Sequence, residues 1–214
     1  MKPLSECRLY TFVDTAYLAQ RSPVEIAIQL CDGGSDIVQL RAKNRTAGEV
    51  EQLADSLLPI TNRYGVWLVI NDHPQVALKV GAPMCHLGQE DFFEAGFTVA
   101  DQVRGCPKQM SLGLSTHSSE QAQKALQAGP DYIAIGPVFA TPTKPGREPV
   151  TLEYVRWAKQ NVGLPWFAIG GINLDTVDQV IEAGARRICV VSAILNAPDI
   201  AGACRQFRSR LGMA

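Results

Sequence analysis

Residues able to do chemistry recur where short apolar runs of this sequence end. In Val38-Gln39-Leu40-Arg41-Ala42-Lys43 a side-chain period of two puts Gln39, Arg41 and Lys43 on one face and Val38 and Leu40 on the other. A guanidinium projecting from an apolar strand is costly to bury unless a negative charge meets it. An internal carboxylate would serve; three aligned polar residues favour an anionic ligand. Two later runs end in Asn71-Asp72 and in Gln89-Glu90-Asp91. Asp72 suits a helix cap before Pro74 as well as it suits a ligand role. Asp72 and Asp91 together match the needs of Mg²⁺, which takes one or two carboxylates with phosphate oxygens and waters.

Further along, Gly113-Leu114-Ser115-Thr116-His117-Ser118 ends another run. Ser118 fits an N-cap with Gln121 completing a capping box, which leaves Ser115 to donate to a ligand oxygen. The proline-rich stretch 137–150 exceeds the usual ~2–6 residues of such a connection, and loops of that length tend to be lids or binding loops. Within it, Thr141-Pro142-Thr143-Lys144 offers two hydroxyls and an ammonium. Gly170-Gly171 lets backbone N–H groups approach an anion, and the last apolar run ends in Val190-Val191-Ser192. The whole set reads as two anion sites flanking a metal: one for a diphosphate (Arg41, Lys43, Lys144, Ser115) and one for a monophosphate near Gly170, Gly171 and Ser192. The chemistry this suggests joins, or exchanges, two phosphorylated substrates. A serine nucleophile is excluded by the absence of a G-x-S-x-G elbow, and His86 reads as a packed strand residue, since no other histidine stands near it at metal spacing.

The elements that must position these residues are visible as well. A helical segment, a glycine and a short strand recur with leading glycines Gly33, Gly81, Gly129 and Gly184, spaced by 48, 48 and 55 residues. Each glycine is expected to take the left-handed conformation that closes a helix. That period fits two βα units, so four periods give eight. Strands are expected to begin near Arg8, Asp36, Val66, Met84, Met110, Tyr132, Pro165 and Arg187, with helices over 23–31, 47–64, 118–128, 151–161 and 174–183. Ser22 with Pro23 marks one helix start. Strict alternation predicts an α/β fold, a single-domain (β/α)8 TIM barrel spanning 1–214. The doubly wound alternative lacks a G-x-G-x-x-G after the first strand.

Composition narrows the function further. The 214 residues are 46% apolar and 19% charged with a net charge of −1, which suits a soluble globular domain and leaves no electrostatic footprint for nucleic acid or an anionic membrane. Partners are therefore expected to be small molecules, with the oligomeric state open. Six cysteines without a C-x-x-C pair argue against zinc or a disulfide framework, and Cys85 and Cys189 read as buried hydrophobes. The segment Met1-Lys2-Pro3-Leu4-Ser5-Glu6 has no apolar h-region, and a reducing, cytoplasmic setting is expected.

The blocks Gln39-Leu40-Arg41-x-Lys43, Ile70-Asn71-Asp72, His86-Leu87-Gly88-Gln89-Glu90-Asp91, Gly113-x-Ser115-x-His117, Gly136-Pro137-Val138-Phe139-x-Thr141-x-Thr143-Lys144, Ala168-Ile169-Gly170-Gly171-Ile172 and Val191-Ser192-Ala193-Ile194 resemble the thiamine phosphate synthase family over nearly the whole chain. The resemblance implies a transferase of thiamine biosynthesis that couples hydroxymethylpyrimidine diphosphate to thiazole phosphate, releasing diphosphate. It implies Mg²⁺ on Asp72 and Asp91. It implies pyrimidine-diphosphate contacts from the segment Gln39, Leu40, Arg41, Ala42 and Lys43, with Asn71, Ser115 and Lys144. Arg41, Lys144 and Ser115 would act on the leaving group. Thiazole-phosphate contacts are implied for Thr141, Pro142, Thr143, Gly171, Val191 and Ser192. The chain departs from the family pattern at Ala42, His73 and Met84-Cys85, where acidic residues or Asp-Gly are frequent. A thiazole tautomerase on the same barrel, or a non-catalytic barrel sensing a thiamine precursor, would not need the carboxylates together with Thr141-x-Thr143-Lys144.

Overall fold

Strands covered by helices outside and by side chains inside must be apolar on both faces, and the short Val/Ile/Leu-rich runs of this chain meet that need. The computed structural model describes residues 1–105, 108–141 and 148–213. Eight parallel strands close in chain order into a barrel: β1 Leu9–Asp14, β2 Ile37–Arg41, β3 Trp67–Asn71, β4 Met84–Gly88, β5 Ser111–Thr116, β6 Tyr132–Ile135, β7 Trp166–Ile169 and β8 Ile188–Cys189. The expected (β/α)8 architecture is the observed one.

Helices α1 Pro23–Asp32, α2 Ala47–Tyr64, α3 Pro74–Val80, α4 Gln89–Glu94, α5 Asp101–Arg104, α6 Ser119–Gln127, α7 Thr151–Asn161, α8 Val177–Glu182, α9 Ser192–Leu195 and α10 Ile200–Arg210 cover the outside. Their boundaries follow local chemistry. Ser22 caps α1 by accepting from the Val24 N–H at 3.2 Å, with Pro23 in the first turn. Thr46 and Glu49 form a reciprocal capping box on α2. Ser118 accepts from the Gln121 N–H at 3.2 Å, but the Gln121 side chain accepts from the His117 N–H, one residue before the place a capping box requires.

Two expectations are corrected. Gly33 is right-handed at φ −74°, and the left-handed residue is Gly34 at φ 84°. Gly33 is small for another reason: a Cβ there would stand 2.5 Å from Cys204 Cβ, so α10 can press onto the end of α1. The helix expected over 174–183 is only Val177–Glu182, because Asn173 and Thr176 spend their side chains on a turn in which Asn173 Oδ1 accepts from the Asp175 and Thr176 N–H groups.

The barrel interior is filled. Phe167 meets Tyr10 and Tyr132 edge-on, at ring separations of 5.4 and 5.6 Å. The Tyr132 ring occupies the place a side chain on Gly113 would take. Burial pushes the Cys7 and Cys31 thiols up to about 12 and Cys204 to about 11, and raises Cys85 and Cys189 further still. All five described cysteines are free and buried. Among the described residues no helix is long and apolar enough to cross a membrane.

Candidate active site

The carboxyl ends of the strands surround a cavity that holds about 910 Å³ of space out to its open mouth, within the ~300–1,000 Å³ range of small-molecule sites. Its floor is buried: Tyr10, Phe12, Gln39, His86 and Cys189 line it. Tyr10 and Phe12 lie stacked, with ring centroids 5.3 Å apart. Gln39 Nε2 donates to Tyr10 Oη at 2.6 Å, Tyr10 and Tyr132 share a hydroxyl hydrogen bond at 3.1 Å, and Tyr132 Oη lies 3.0 Å from His86 Nδ1. Burial holds both tyrosine hydroxyls far above their ordinary pKa, so both stay protonated. His86 is thus packed against Tyr132, as its place in a strand suggests, and faces the cavity as well.

On one side of the cavity stand Arg41 and Lys43. The register of β1 against β2 sets Asp14 beside Arg41, and Arg41 Nη1 donates to Asp14 Oδ2 at 2.7 Å. Asp14 is 1% exposed, and its other oxygen accepts from the Ala16 N–H at 3.0 Å. The internal-carboxylate reading of Arg41 is the one the structure bears out. It has an internal carboxylate, and it lines the cavity.

Asp72 does not act as the expected helix cap; His73 occupies that position and no side chain caps α3. Instead Asp72 sits at φ 63°, accepts from Asn71 Nδ2 at 2.6 Å, and has Lys43 Nζ 3.9 Å from its carboxylate. A non-glycine residue held in the left-handed region is strained, and such strain concentrates at functional positions. Asp91 lies exposed at the rim in the first turn of α4, its carboxylate folded back over Gly88. A Cβ on Gly88 would stand 2.5 Å from Asp91 Oδ2, so glycine is what admits that position. Two carboxylates with an adjacent amide form a hard-oxygen donor set that fits Mg²⁺ with phosphate oxygens completing the shell. Among the described residues no group of three or more His, Cys, Asp or Glu gathers at metal spacing.

Ser115 is buried on the wall beside Gly88, its partner in the β4–β5 register. Gly170 and Gly171 have φ values of 102° and 65°. They sit tight against the segment that follows β6: Phe139 N–H donates to Gly170 O at 3.0 Å, and a Cβ on Gly171 would lie 2.6 Å from Ala140 O. The glycine pair therefore seats this loop, which carries Thr141 to the cavity, besides exposing backbone. Val191 and Ser192 complete the lining at the start of α9.

Twelve of the expected site residues thus meet in one cavity: Gln39, Arg41, Lys43, Asn71, Asp72, Asp91, Ser115, Thr141, Gly170, Gly171, Val191 and Ser192. Leu40 and Ala42 are buried in the core and do not line the cavity. Pro142, Thr143 and Lys144 lie outside the described residues. Sequence reasoning missed Tyr10, Phe12 and Asp14, although the same two-residue alternation that singles out Gln39 and Arg41 puts these three on one face of β1.

A (β/α)8 barrel that brings two carboxylates, two cations and a glycine pair to one mouth defines an enzyme of phosphorylated small molecules. The chain belongs to the thiamine monophosphate synthase family, whose model matches residues 9–194. It is 49% identical to the thiamine-phosphate synthase of Thermus thermophilus over 84% of each chain. It is 42% identical to that of Acidothermus cellulolyticus, covering 99% of this chain and 98% of the other. Among solved structures, the thiamine phosphate pyrophosphorylase of Pyrococcus furiosus superposes with a TM-score of 0.81 at 28% identity, over 98% and 97% of the two chains.

Proposed function

We propose that this enzyme condenses hydroxymethylpyrimidine diphosphate with thiazole phosphate to give thiamine phosphate and diphosphate, in the cytoplasm, and that the cavity residues divide between the two substrates. The observation that carries the reading is the meeting, in one cavity, of the carboxylate pair with Arg41 and Lys43 on one side and Gly170, Gly171 and Ser192 on the other. Asp72 and Asp91, with Asn71 behind Asp72, would hold Mg²⁺. When bound, the metal supplies charge neutralisation to a diphosphate leaving group.

The bond that breaks joins the pyrimidine methylene carbon to a diphosphate oxygen, and its electron pair leaves with the diphosphate. The lone pair of the thiazole nitrogen forms the new C–N bond, so no general base is required. Arg41 stabilises the negative charge as it develops, with Lys43 beside it, Ser115 donating a hydrogen bond, and Lys144 assigned the same task by resemblance. Asp14 holds Arg41 in place for this. Tyr10 engages one end of the Gln39 amide, leaving its carbonyl to accept from an amino group on a heterocycle, against the flat surface of Tyr10 and Phe12. Thr141, Val191 and Ser192 would receive the thiazole phosphate, with Thr143 from the same loop.

The test is incubation of the pure protein with both substrates and Mg²⁺, reading diphosphate and thiamine phosphate. Asp91→Ala and Arg41→Ala are expected to abolish turnover with the fold retained. Full activity in either would overturn the site assignment. Isomerisation of thiazole phosphate without condensation would favour the tautomerase reading.

A further inference from the structure

At the opposite end of the barrel, away from the cavity just described, lies a second hollow of about 670 Å³ out to its mouth, lined by Lys2, Ser5, Glu6, Arg8, Arg186 and Arg187. Its charges do not balance. Lys2 Nζ is engaged by Asp36 at 2.5 Å, which leaves Glu6 as the lining carboxylate against three arginines. None of the three has an ion pair among the described residues. Arg8 Nη1 donates to Leu211 O at 2.9 Å and Arg187 Nη2 to Ser5 O at 2.5 Å, neutral acceptors in both cases. Arg187 Nε is buried without any hydrogen-bond partner, the one such side-chain atom among the described residues.

The strand register makes this arrangement unfavourable on its own. Leu9 pairs with Ile188, so Arg8 and Arg187 stand next to one another where β1 and β8 begin, and the Ile188 N–H donates to Arg8 O at 2.9 Å. Like charges at adjacent strand positions repel. The guanidinium of Arg187 is partly desolvated as well, and its pKa is lowered by burial first and by the Arg186 and Arg8 charges next. A purely structural arginine is expected to have its fork satisfied by carboxylates or carbonyls. Three guanidinium groups around an open hollow, with one fork half-used, have the chemistry of an oxyanion site.

We propose that Arg8, Arg186 and Arg187 form a second anion site on the N-terminal face of the barrel, and that it takes a phosphoryl group. The hollow is large enough for a phosphate ester as well as inorganic phosphate or diphosphate. It lies at the end of the fold where the reaction does not take place, so its occupant acts on stability or on regulation and leaves the chemical step alone.

Site-resolved amide NMR tests this. Inorganic diphosphate is titrated without Mg²⁺, and the Ser5, Arg187 and Ile188 amides are followed beside Gly170 as a marker of the catalytic cavity. The Ser5, Arg187 and Ile188 signals are expected to move saturably. Arg187→Gln should weaken that response at least about tenfold, the worth of one charge-assisted contact, with kcat unchanged. Among the described residues the Arg186 side chain makes no hydrogen bond, so Arg186→Gln repeats the test with the Arg187–Ser5 bond intact. Inorganic phosphate and glycerol phosphate run in parallel tell a free anion from an ester, the tighter of the two naming the source. Absence of any shift at Ser5, Arg187 and Ile188 while Gly170 responds would overturn the proposal. Undiminished binding in both variants would do so too.

Discussion

Asp14→Asn isolates what the buried carboxylate does for Arg41. The substitution is nearly isosteric and keeps the Oδ1 acceptor for the Ala16 N–H, so the change is confined to the charge that meets Arg41 Nη1 at 2.7 Å. Removing one partner of a fully buried pair costs about 3–5 kcal/mol, because the other charge is left desolvated. The Asp14 side chain is 1% exposed, but that of Arg41 keeps 13% at an open mouth, which brings the expected cost to roughly 2–3 kcal/mol. At roughly 2–4 °C per kcal/mol for a chain of this size, Tm should fall by about 5–10 °C. Asp14→Ala also removes the cap on the Thr15–Tyr17 turn and should cost about 1 kcal/mol more. Kinetics separate positioning from mere stability. With Arg41 unheld, kcat/KM for the pyrimidine diphosphate should drop by about tenfold or more. Added inorganic diphosphate, by pairing with Arg41, should raise Tm further in the variant than in the parent protein. The assays are thermal unfolding with and without diphosphate, and initial rates with the thiazole phosphate saturating. A variant with parental Tm and parental kcat/KM would refute the role given to Asp14.

Gly88→Ala should leave the fold within about 1 kcal/mol yet raise the Mg²⁺ concentration needed for half-maximal rate, since its Cβ displaces the Asp91 carboxylate; a metal titration of the rate checks this. Asp72→Gly and Asp72→Val should both lose Mg²⁺-dependent diphosphate release. Unfolding curves should then separate them: glycine accepts φ 63° freely and should hold Tm or raise it, whereas a β-branched residue there should lower Tm, at a cost of at least about 1 kcal/mol of stability. The raised thiols of Cys7, Cys31 and Cys204 make stability fall at high pH. Each stays protonated in the fold while the unfolded chain ionises near 9, so their contribution is complete below pH 9 and lost as pH climbs toward 11–12. Tm measured from pH 8 to 11 should decline across that window, and a flat profile would contradict the burial of these groups.

The architecture was legible because βα periodicity is a property of local sequence: glycine spacing, caps and apolar runs place β1 through β7 within a residue or two of where they stand. What escaped is tertiary. Gly34 rather than Gly33 turns left-handed, and α10 claims the space beside both, which no local signal reports. The last apolar run, read as extending through Val190-Val191, yields only Ile188–Cys189 as strand before α9 begins. In the site, Arg41 could be read from alternation, but its partner could not, since the pairing of Asp14 with Arg41 is a matter of register between two strands. Asp72 was legible as a carboxylate at a strand end; its left-handed backbone was not, because nothing in the neighbouring residues demands it.

The brevity of β8 gives the closed barrel a seam. β1 offers six residues, yet β8 pairs with it only at Leu9–Ile188 and Tyr10–Cys189. Arginines stitch the seam near both ends: Arg21, following the β1 turn, donates to Leu195 O at the end of α9 at 2.6 Å, and Arg8 reaches Leu211 O below. Hydrogen exchange should therefore be faster along this line than along β1–β2, whose register runs over five pairs. Ser192 stands on the β8 side of the seam and Arg41 on the other, so the same breathing would widen the gap between the two walls proposed to hold the phosphates. The tightness of one short zip fastener is then expected to govern how steadily those two walls keep their spacing.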